Sequence, residues 1–297
     1  MLRTLLVFVV GIQVLLPVLL YLMRDRLVFL PSAKPGPEAG LAAARGPVNI
    51  NLVHVVRPDG RRLAAYDARP PGKQGAVVLF FHGNAGNIAQ RVWLLEEFVA
   101  GTGARTLMPD YSGYGGNEGS PSEEEVYVDG LAAYDHLVAG GVPADRIVLY
   151  GESLGGSVAL HVATRRTVAG TVLQSTFASM SSMALRIYPW MPLVALLARG
   201  GFRNVDRVAE MESPVLLVHG TADRIVPIAE GRSVYDAARR VSITPPHAAK
   251  RFVAIEGAGH NNLFAFGGRD YLLELRQTFA RWTKAPGTVR PITSWNQ

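Results

Sequence analysis

There is no cysteine in the 297 residues, and that single absence removes several chemistries at once. Disulfides, thiolate zinc sites and a cysteine nucleophile are all excluded. The compartment stays open, because a chain without thiols tolerates either redox setting. Charge is also scarce. Charged residues make up 18% of the chain against 48% hydrophobic ones, and the mean hydropathy of +0.16 leans apolar for a globular protein. The net charge of +6 raises the question of nucleic acid or anionic lipid as a partner. Yet no run of five basic residues exists. Arg61-Arg62, Arg165-Arg166 and Arg239-Arg240 are isolated pairs that read as solvated faces. Nucleic-acid binding is not expected, and no internal repeat is present.

The apolar excess has a location. Residues 4–23 carry no charge and are long enough to cross a bilayer core as a helix. Gln13 and Pro17 are interruptions that such helices tolerate, and Tyr21 sits near one end, where an interfacial aromatic fits. A cleaved signal peptide is the rival reading. The run is longer than an ordinary h-region, however, and no Ala-x-Ala-like site precedes Arg24-Asp25-Arg26. A single-pass anchor over 1–24 is expected. Arg3 lies on one side and Arg24, Arg26 and Lys34 on the other, so the positive-inside rule barely discriminates. The short basic N-terminal tail tips the reading toward a domain outside the cytoplasm.

Residues 25–47 read as a linker, rich in Pro, Gly and Ala from 31 onward. Alternation over 48–57 and 61–69 about the turn Pro58-Asp59-Gly60 predicts an antiparallel hairpin. Ala76 to Phe81 is an apolar run suited to a strand buried on both faces. From there helices (86–100, 122–140, 154–166, 227–241, 269–283) alternate with strands (105–109, 146–150, 171–175, 214–219, 251–255). That rhythm predicts an α/β fold, a mostly parallel sheet covered on both faces with the hairpin at one edge. At this length one large α/β domain or two small ones can bury a substantial core. Residues 177–206 break the rhythm with Met180, Met183, Ile187, Trp190 and Leu197. They form either a small lid or pocket wall for a greasy substrate group, or a helix packed on the core. The polar, Pro-containing stretch 284–297 is expected to fray.

The chemistry gathers around Gly151-Glu152-Ser153-Leu154-Gly155, which follows the strand and opens the helix. Such a strand–turn–helix elbow exposes a serine hydroxyl at the strand tip. A serine becomes a good nucleophile only when an imidazole removes its proton, and the imidazole needs a carboxylate to hold its tautomer. Both arrive later in the chain at strand ends: Asp223 after 214–219 and His260 after 251–255. Asp110 and, more weakly, Asp206 compete for the carboxylate role. His219 reads as packing near the site, and His54, His136, His161 and His247 as surface or core residues. A developing oxyanion needs N–H donors. Leu154, directly after the serine, offers one. The loop His82-Gly83-Asn84-Ala85-Gly86-Asn87 offers the other, from Asn84 or, as the lesser candidate, Ala85.

From about residue 25 to 283 these pieces, taken with Arg26-Leu27-Val28-Phe29-Leu30-Pro31, Asp110-Tyr111-Ser112-Gly113-Tyr114-Gly115, His219-Gly220-Thr221-Ala222-Asp223 and Gly257-Ala258-Gly259-His260, resemble the α/β-hydrolase superfamily. More narrowly they resemble its membrane-anchored Bem46-like and α/β-hydrolase domain-containing 13 and 17-like group. The resemblance implies a catalytic domain over 48–283 with a Ser153, His260, Asp223 triad. It implies ester or thioester hydrolysis on an acyl, lipid or lipidated substrate, with no metal or organic cofactor. Many relatives carry Arg where this chain has Ser112, which puts the loop beside the site in question. Two other readings stay open: a serine peptidase-like hydrolase, and a non-catalytic membrane-anchored interaction protein that kept the fold.

Overall fold

The computed structural model describes residues 2–72, 75–243 and 249–283, with side chains from residue 11 onward. Its centre is an eight-stranded sheet of β2 (Asn49–Val56), β3 (Arg62–Arg69), β4 (Val77–Phe81), β6 (Arg105–Pro109), β7 (Ile147–Glu152), β8 (Gly170–Gln174), β9 (Val215–Gly220) and β10 (Arg251–Ile255). The order is β10-β9-β8-β7-β4-β6-β3-β2. β2 pairs with β3, and β3 with β6, antiparallel, while every other pairing is parallel. The expected edge hairpin is therefore present, and β3 is the antiparallel link that joins it to the parallel strands. A separate two-residue parallel pairing joins β1 (Leu30–Pro31) to β5 (Ala85–Gly86).

Alternation along each central strand builds two cores. In β4, Val77, Leu79 and Phe81 face one layer and Val78 and Phe80 the other. In β7, Ile147 and Leu149 join the first, Val148 and Tyr150 the second. The first layer is closed by α5 (Glu123–Ala139), α6 (Leu154–Ala163), α9 (Asn204–Glu210) and α10 (Ile228–Ala237). The second is closed by α4 (Val92–Thr102) and α11 (Leu263–Trp282). Each large apolar side chain fully buried there contributes about 1.5–3 kcal/mol. Local signals set the helix ends. Ser122 accepts from the Glu125 N–H and caps α5 ahead of three acidic residues, which suit the positive end of the helix dipole. Gly268, at φ 48° and ψ −139°, breaks α11, so a short helical stretch from Leu263 precedes the helix expected from 269.

Three elements stand outside this frame. Within the insertion, α7 (Met180–Ile187) and α8 (Pro192–Leu197) form a pair ahead of α9. At the N-terminus, α1 (Leu2–Leu22) leads into α2 (Arg24–Val28), and a third short helix, α3 (Pro37–Ala43), follows. Leu16 and Leu20 of α1 pack on Met191, Val194 and Ala195, and the Gln13 amide donates to the Trp190 carbonyl at 3.1 Å. The 25–47 stretch expected as a linker thus contributes two helices and a strand pairing. Among the described residues no helix is long and apolar enough to cross a membrane. The span expected over 4–23 is not seen as one, and α1 lies against the insertion instead. The tail at 284–297 and His247 lie outside the described residues.

Candidate active site

Ser153 sits at the tip of β7, at φ 53° and ψ −115°, a backbone region that non-glycine residues seldom occupy. The turn survives because its neighbours are glycines. A Cβ on Gly151 would lie 2.5 Å from the Gly155 carbonyl oxygen, and one on Gly155 would overlap the Phe81 carbonyl. The Ser153 N–H donates to the Gln174 carbonyl at 2.8 Å, and its carbonyl accepts from the Thr176 hydroxyl at 3.2 Å. The end of β8 and the loop after it thus clamp the strained residue.

His260 Nε2 lies 3.0 Å from Ser153 Oγ, and its Nδ1 lies 2.7 Å from Asp223 Oδ2. An ionised carboxylate can only accept, so Nδ1 carries the proton and Nε2 is left to accept from the serine hydroxyl. The other oxygen of Asp223 accepts from the N–H groups of Ile225 and Val226, both at 2.9 Å. Burial alone would raise this carboxyl. Hydrogen bonds from His219, His260 and the Val226 N–H outweigh it and hold Asp223 well below the ordinary carboxylate range. The two loops are stitched together, since Thr221 N–H donates to Ile255 O at 3.1 Å and Ala222 N–H to Ala258 O at 2.9 Å. The register of β9 beside β10 therefore sets the Asp223–His260 distance.

The loop after β4 closes the other side. Gly83 packs on the serine, because a Cβ there would stand 3.6 Å from Ser153 Cβ. Asn84 is pinned on either side of its backbone N–H: Nδ2 donates to Val28 O at 2.8 Å, and its carbonyl accepts from Leu30 N–H at 3.0 Å and from Tyr114 Oη at 2.6 Å. Leu154 is the first residue of α6, so its N–H has no partner within the helix. Ala85, the second candidate, is drawn into the β1–β5 pairing.

Asp110 is not the carboxylate partner of His260. It is fully buried beneath the loop, with Oδ1 3.1 Å from His82 Nε2 and both oxygens accepting from the Ile88 N–H at 3.2 Å. Asp206 pairs with Arg203 at 2.6 Å on the surface of α9. His161 stacks on Tyr127 with ring centroids 4.0 Å apart, and burial next to Arg165 and Arg207 lowers it to about 3.

Two features carry no motif in the sequence. His219, expected to pack near the site, also brings its Nε2 to the Val226 carbonyl at 2.7 Å and to Asp223 Oδ2 at 3.4 Å. Arg57 carried no motif. Its buried guanidinium contacts Asp129 at 2.5 Å, Ser112 Oγ at 2.6 Å and Glu125 at 2.7 Å, which explains how the 110–115 loop accommodates serine at position 112. A cation at the end of an edge strand, next to a sequence short of charge, was the available signal. Among the described residues no group of three His, Asp or Glu side chains is arranged to hold a metal.

Ser153, Asp223, His260 and the 82–87 loop all lie at the carboxyl ends of the parallel strands β7, β9, β10 and β4, where open α/β sheets place their sites. An alpha/beta hydrolase family model matches residues 78–203, and the chain belongs to that family. Within it, the chain is 31% identical over 283 residues to the alpha/beta hydrolase domain-containing protein WAV2 of Arabidopsis thaliana, covering 88% of this chain and 89% of that one. It is 30% identical over 223 residues to the human alpha/beta hydrolase domain-containing protein 17B, covering 73% and 71%, which places it in the 17-like group. The fold is also that of an esterase from Pyrococcus furiosus, with a TM-score of 0.65 at 15% identity over 86% of this chain and 99% of the other.

Proposed function

We propose that the chain is a serine hydrolase that cleaves a carboxylic ester or thioester through an acyl-enzyme. The observation that carries this reading is the unbroken relay from Ser153 Oγ to His260 Nε2 at 3.0 Å and from His260 Nδ1 to Asp223 Oδ2 at 2.7 Å. Its serine is held in a strained elbow, and such strain marks functional sites. His260 takes the hydroxyl proton as Ser153 Oγ bonds to the acyl carbon. The N–H groups of Leu154 and Asn84 receive the charge that builds on the carbonyl oxygen, each supplying on the order of 3 kcal/mol in the transition state. The Asp223 carboxylate steadies the imidazolium. His260 then protonates the departing oxygen or sulfur, and water, deprotonated by the same nitrogen, releases the acid and frees Ser153. No metal or organic cofactor enters these steps.

The Pyrococcus furiosus esterase that shares this fold supports an ester as the substrate. The uncharged 4–23 segment supports a tether beside a membrane with a lipid or lipidated acyl substrate, although no described helix spans one. A stopped-flow assay with p-nitrophenyl acetate, a palmitoyl-thioester peptide and an unmodified peptide tests the reading. An initial burst of one p-nitrophenol per enzyme, with the thioester also cleaved and the plain peptide left intact, is expected. Peptide cleavage without ester turnover would select the peptidase reading, and no turnover of any substrate the non-catalytic one.

A further inference from the structure

A cavity of about 460 Å³ opens beside the triad, within the range of pockets that enclose small ligands. Its walls come from the immediate neighbours of each catalytic part. Glu152 precedes Ser153, Ala85 follows Asn84, and Asn261 and Asn262 follow His260. Gln174, whose carbonyl takes the Ser153 N–H at 2.8 Å, lines it too. The Glu152 carboxylate and the serine flank one glycine, since a Cβ on Gly83 would stand 3.6 Å from Glu152 Oε1 and 3.6 Å from Ser153 Cβ. In the proposed reaction the bond from the acyl carbon to the departing oxygen breaks. Its electron pair goes to that oxygen, and His260 Nε2 supplies the proton. The alcohol therefore leaves on the His260 side, where residues 261–265 begin the cavity wall.

Two polar groups in that wall are left open. The hydroxyls of Tyr150 and Tyr271, 2.7 Å apart, converge on Gln174 Oε1, that of Tyr271 from 2.9 Å. Burial, with the charge of Glu152 nearby, pushes both phenols up. Both therefore stay protonated, and the amide oxygen is fully engaged. Gln174 is only 3% exposed, yet among the described residues nothing accepts from its Nε2. A donor buried to that degree ordinarily has a partner, and the cavity is where this one can find it. Glu152 is paired with Gln174 across β7 and β8, so the two side chains stand on one face about 5 Å apart. The Glu152 carboxylate has no hydrogen bond or ion pair with any described residue.

A free donor beside a free acceptor is matched by a hydroxyl, which accepts from one and donates to the other. A quaternary ammonium would leave the amide unpaired, and a phosphate would meet the charges of Glu152 and Glu97. Among the described residues lining the cavity the one cation is Arg91, and it is turned to the backbone. Its Nη2 donates to Ala85 O at 2.7 Å and its Nη1 to Asn87 O at 3.0 Å. Trp93, lining the cavity at 59% exposure, offers a flat apolar face to a carbon skeleton. We infer that this cavity is the leaving-group subsite, and that it takes an alcohol bearing further hydroxyls, read by Gln174 Nε2 and the Glu152 carboxylate. The inference rests on the proposed hydrolase reading and adds to it the class of alcohol released, a polyol of glycerol or sugar type. Tyr150 and Tyr271 are positioning residues here, because they fix which end of the amide meets the cavity.

The test measures kcat/KM on the full chain, by titrating released butyric acid, for esters that share one acyl group. 2,3-Dihydroxypropyl butyrate and propyl butyrate have the same carbon skeleton and differ only in two hydroxyls. 2-(Trimethylammonio)ethyl butyrate carries a cation instead. Wild type is expected to favour the dihydroxypropyl over the propyl ester at least roughly tenfold. Glu152→Met and Gln174→Met should each lower that ratio about tenfold, and Glu210→Gln, exposed and outside the cavity, should keep it. Each ratio is taken within one protein, so a smaller folded fraction cancels. Glu152→Met, on a half-buried side chain, decides should Gln174→Met not fold. Equal turnover of the dihydroxypropyl and propyl esters by wild type overturns the subsite and leaves the hydrolase reading standing. So does a preference that survives Glu152→Met. A folded Gln174→Met that keeps the ratio overturns the part assigned to the amide, and a wild type that favours the trimethylammonio ester overturns the polyol class. Absence of turnover of all these esters in the wild type overturns the hydrolase reading itself.

Discussion

His219 Nε2 stands 3.4 Å from Asp223 Oδ2, the same oxygen that His260 Nδ1 reaches at 2.7 Å. One carboxylate oxygen therefore faces two imidazoles. A second tie runs from His219 to the Val226 carbonyl at 2.7 Å, in the turn whose N–H groups hold the other carboxylate oxygen. His219 is thus a positioning residue that anchors the turn from beneath.

His219→Phe keeps the bulk and removes both polar ties. The Val226 carbonyl loses its partner, so stability should fall by about 1–3 kcal/mol. Because Asp223 loses one of the groups that fix it, kcat should fall on the order of tenfold while KM holds. Urea unfolding and ester kinetics measure the two effects. A stability loss with unchanged kcat would reduce His219 to a packing residue.

The same carboxylate has a pH signature. Its folded pKa is held below the unfolded value of about 3.9. The stability it contributes is therefore present above that value and is lost as pH falls through the lower folded one. Asp223→Asn should flatten this acid limb, so its melting temperature should drop less steeply than wild type below pH 4. Parallel acid limbs in the two proteins would count against the assignment.

Much of the site was legible because its parts are set by local chemistry. Gly151 and Gly155 announce a turn that no Cβ can enter, and the apolar runs before Asp223 and His260 announce strands. Ser153, Asp223 and His260 then meet because parallel strands bring their carboxyl ends to one edge. Asp110 competes by position, but it precedes Ser153 in the chain and the Gly220-Thr221-Ala222-Asp223 context favours Asp223; the sheet order agrees. β6 sits beyond β4 from β7, so Asp110 meets His82 rather than His260. The Arg57 contacts were not legible. They join a strand end to a helix 72 residues later, and no spacing rule encodes such a pairing. The arrangement of α1 was also beyond the pattern, since a charge-free run does not say what it packs against.

Strain at the elbow gives an independent prediction. Ser153 holds φ at 53°, a conformation that glycine adopts freely. Ser153→Gly should be more stable than Ser153→Ala by about 1 kcal/mol, with both variants inactive. Calorimetry on the pair isolates the strain from the loss of the hydroxyl. Equal melting temperatures would show that the elbow stores none.

Arg57 and Asp129 form a buried pair at 2.5 Å, beside Ser112. Arg57→Met leaves the carboxylate without its counter-charge and should cost about 3–5 kcal/mol. Adding Asp129→Asn should recover part of that loss. Burial pushes Asp129 up to about 6, against the pull of the Ser112 N–H and Arg57. Between about 4 and 6 the folded protein then holds a proton that the unfolded chain has lost. The stability linked to it declines as pH rises through 6. Asp129→Asn should remove that decline, which melting curves from pH 5 to 7 will show. An unchanged slope would place the carboxyl below this window.

Ser153 as the nucleophile, activated by His260 across 3.0 Å, underlies every step proposed above. Labelling of the folded protein with a fluorophosphonate probe tests it most directly, because the probe forms a covalent bond only with an activated serine. One label per chain is expected on Ser153 in the wild type, none in Ser153→Ala, and labelling slowed at least roughly a thousandfold in His260→Ala. A folded wild type that stays unlabelled, or a label that persists in Ser153→Ala, would contradict it.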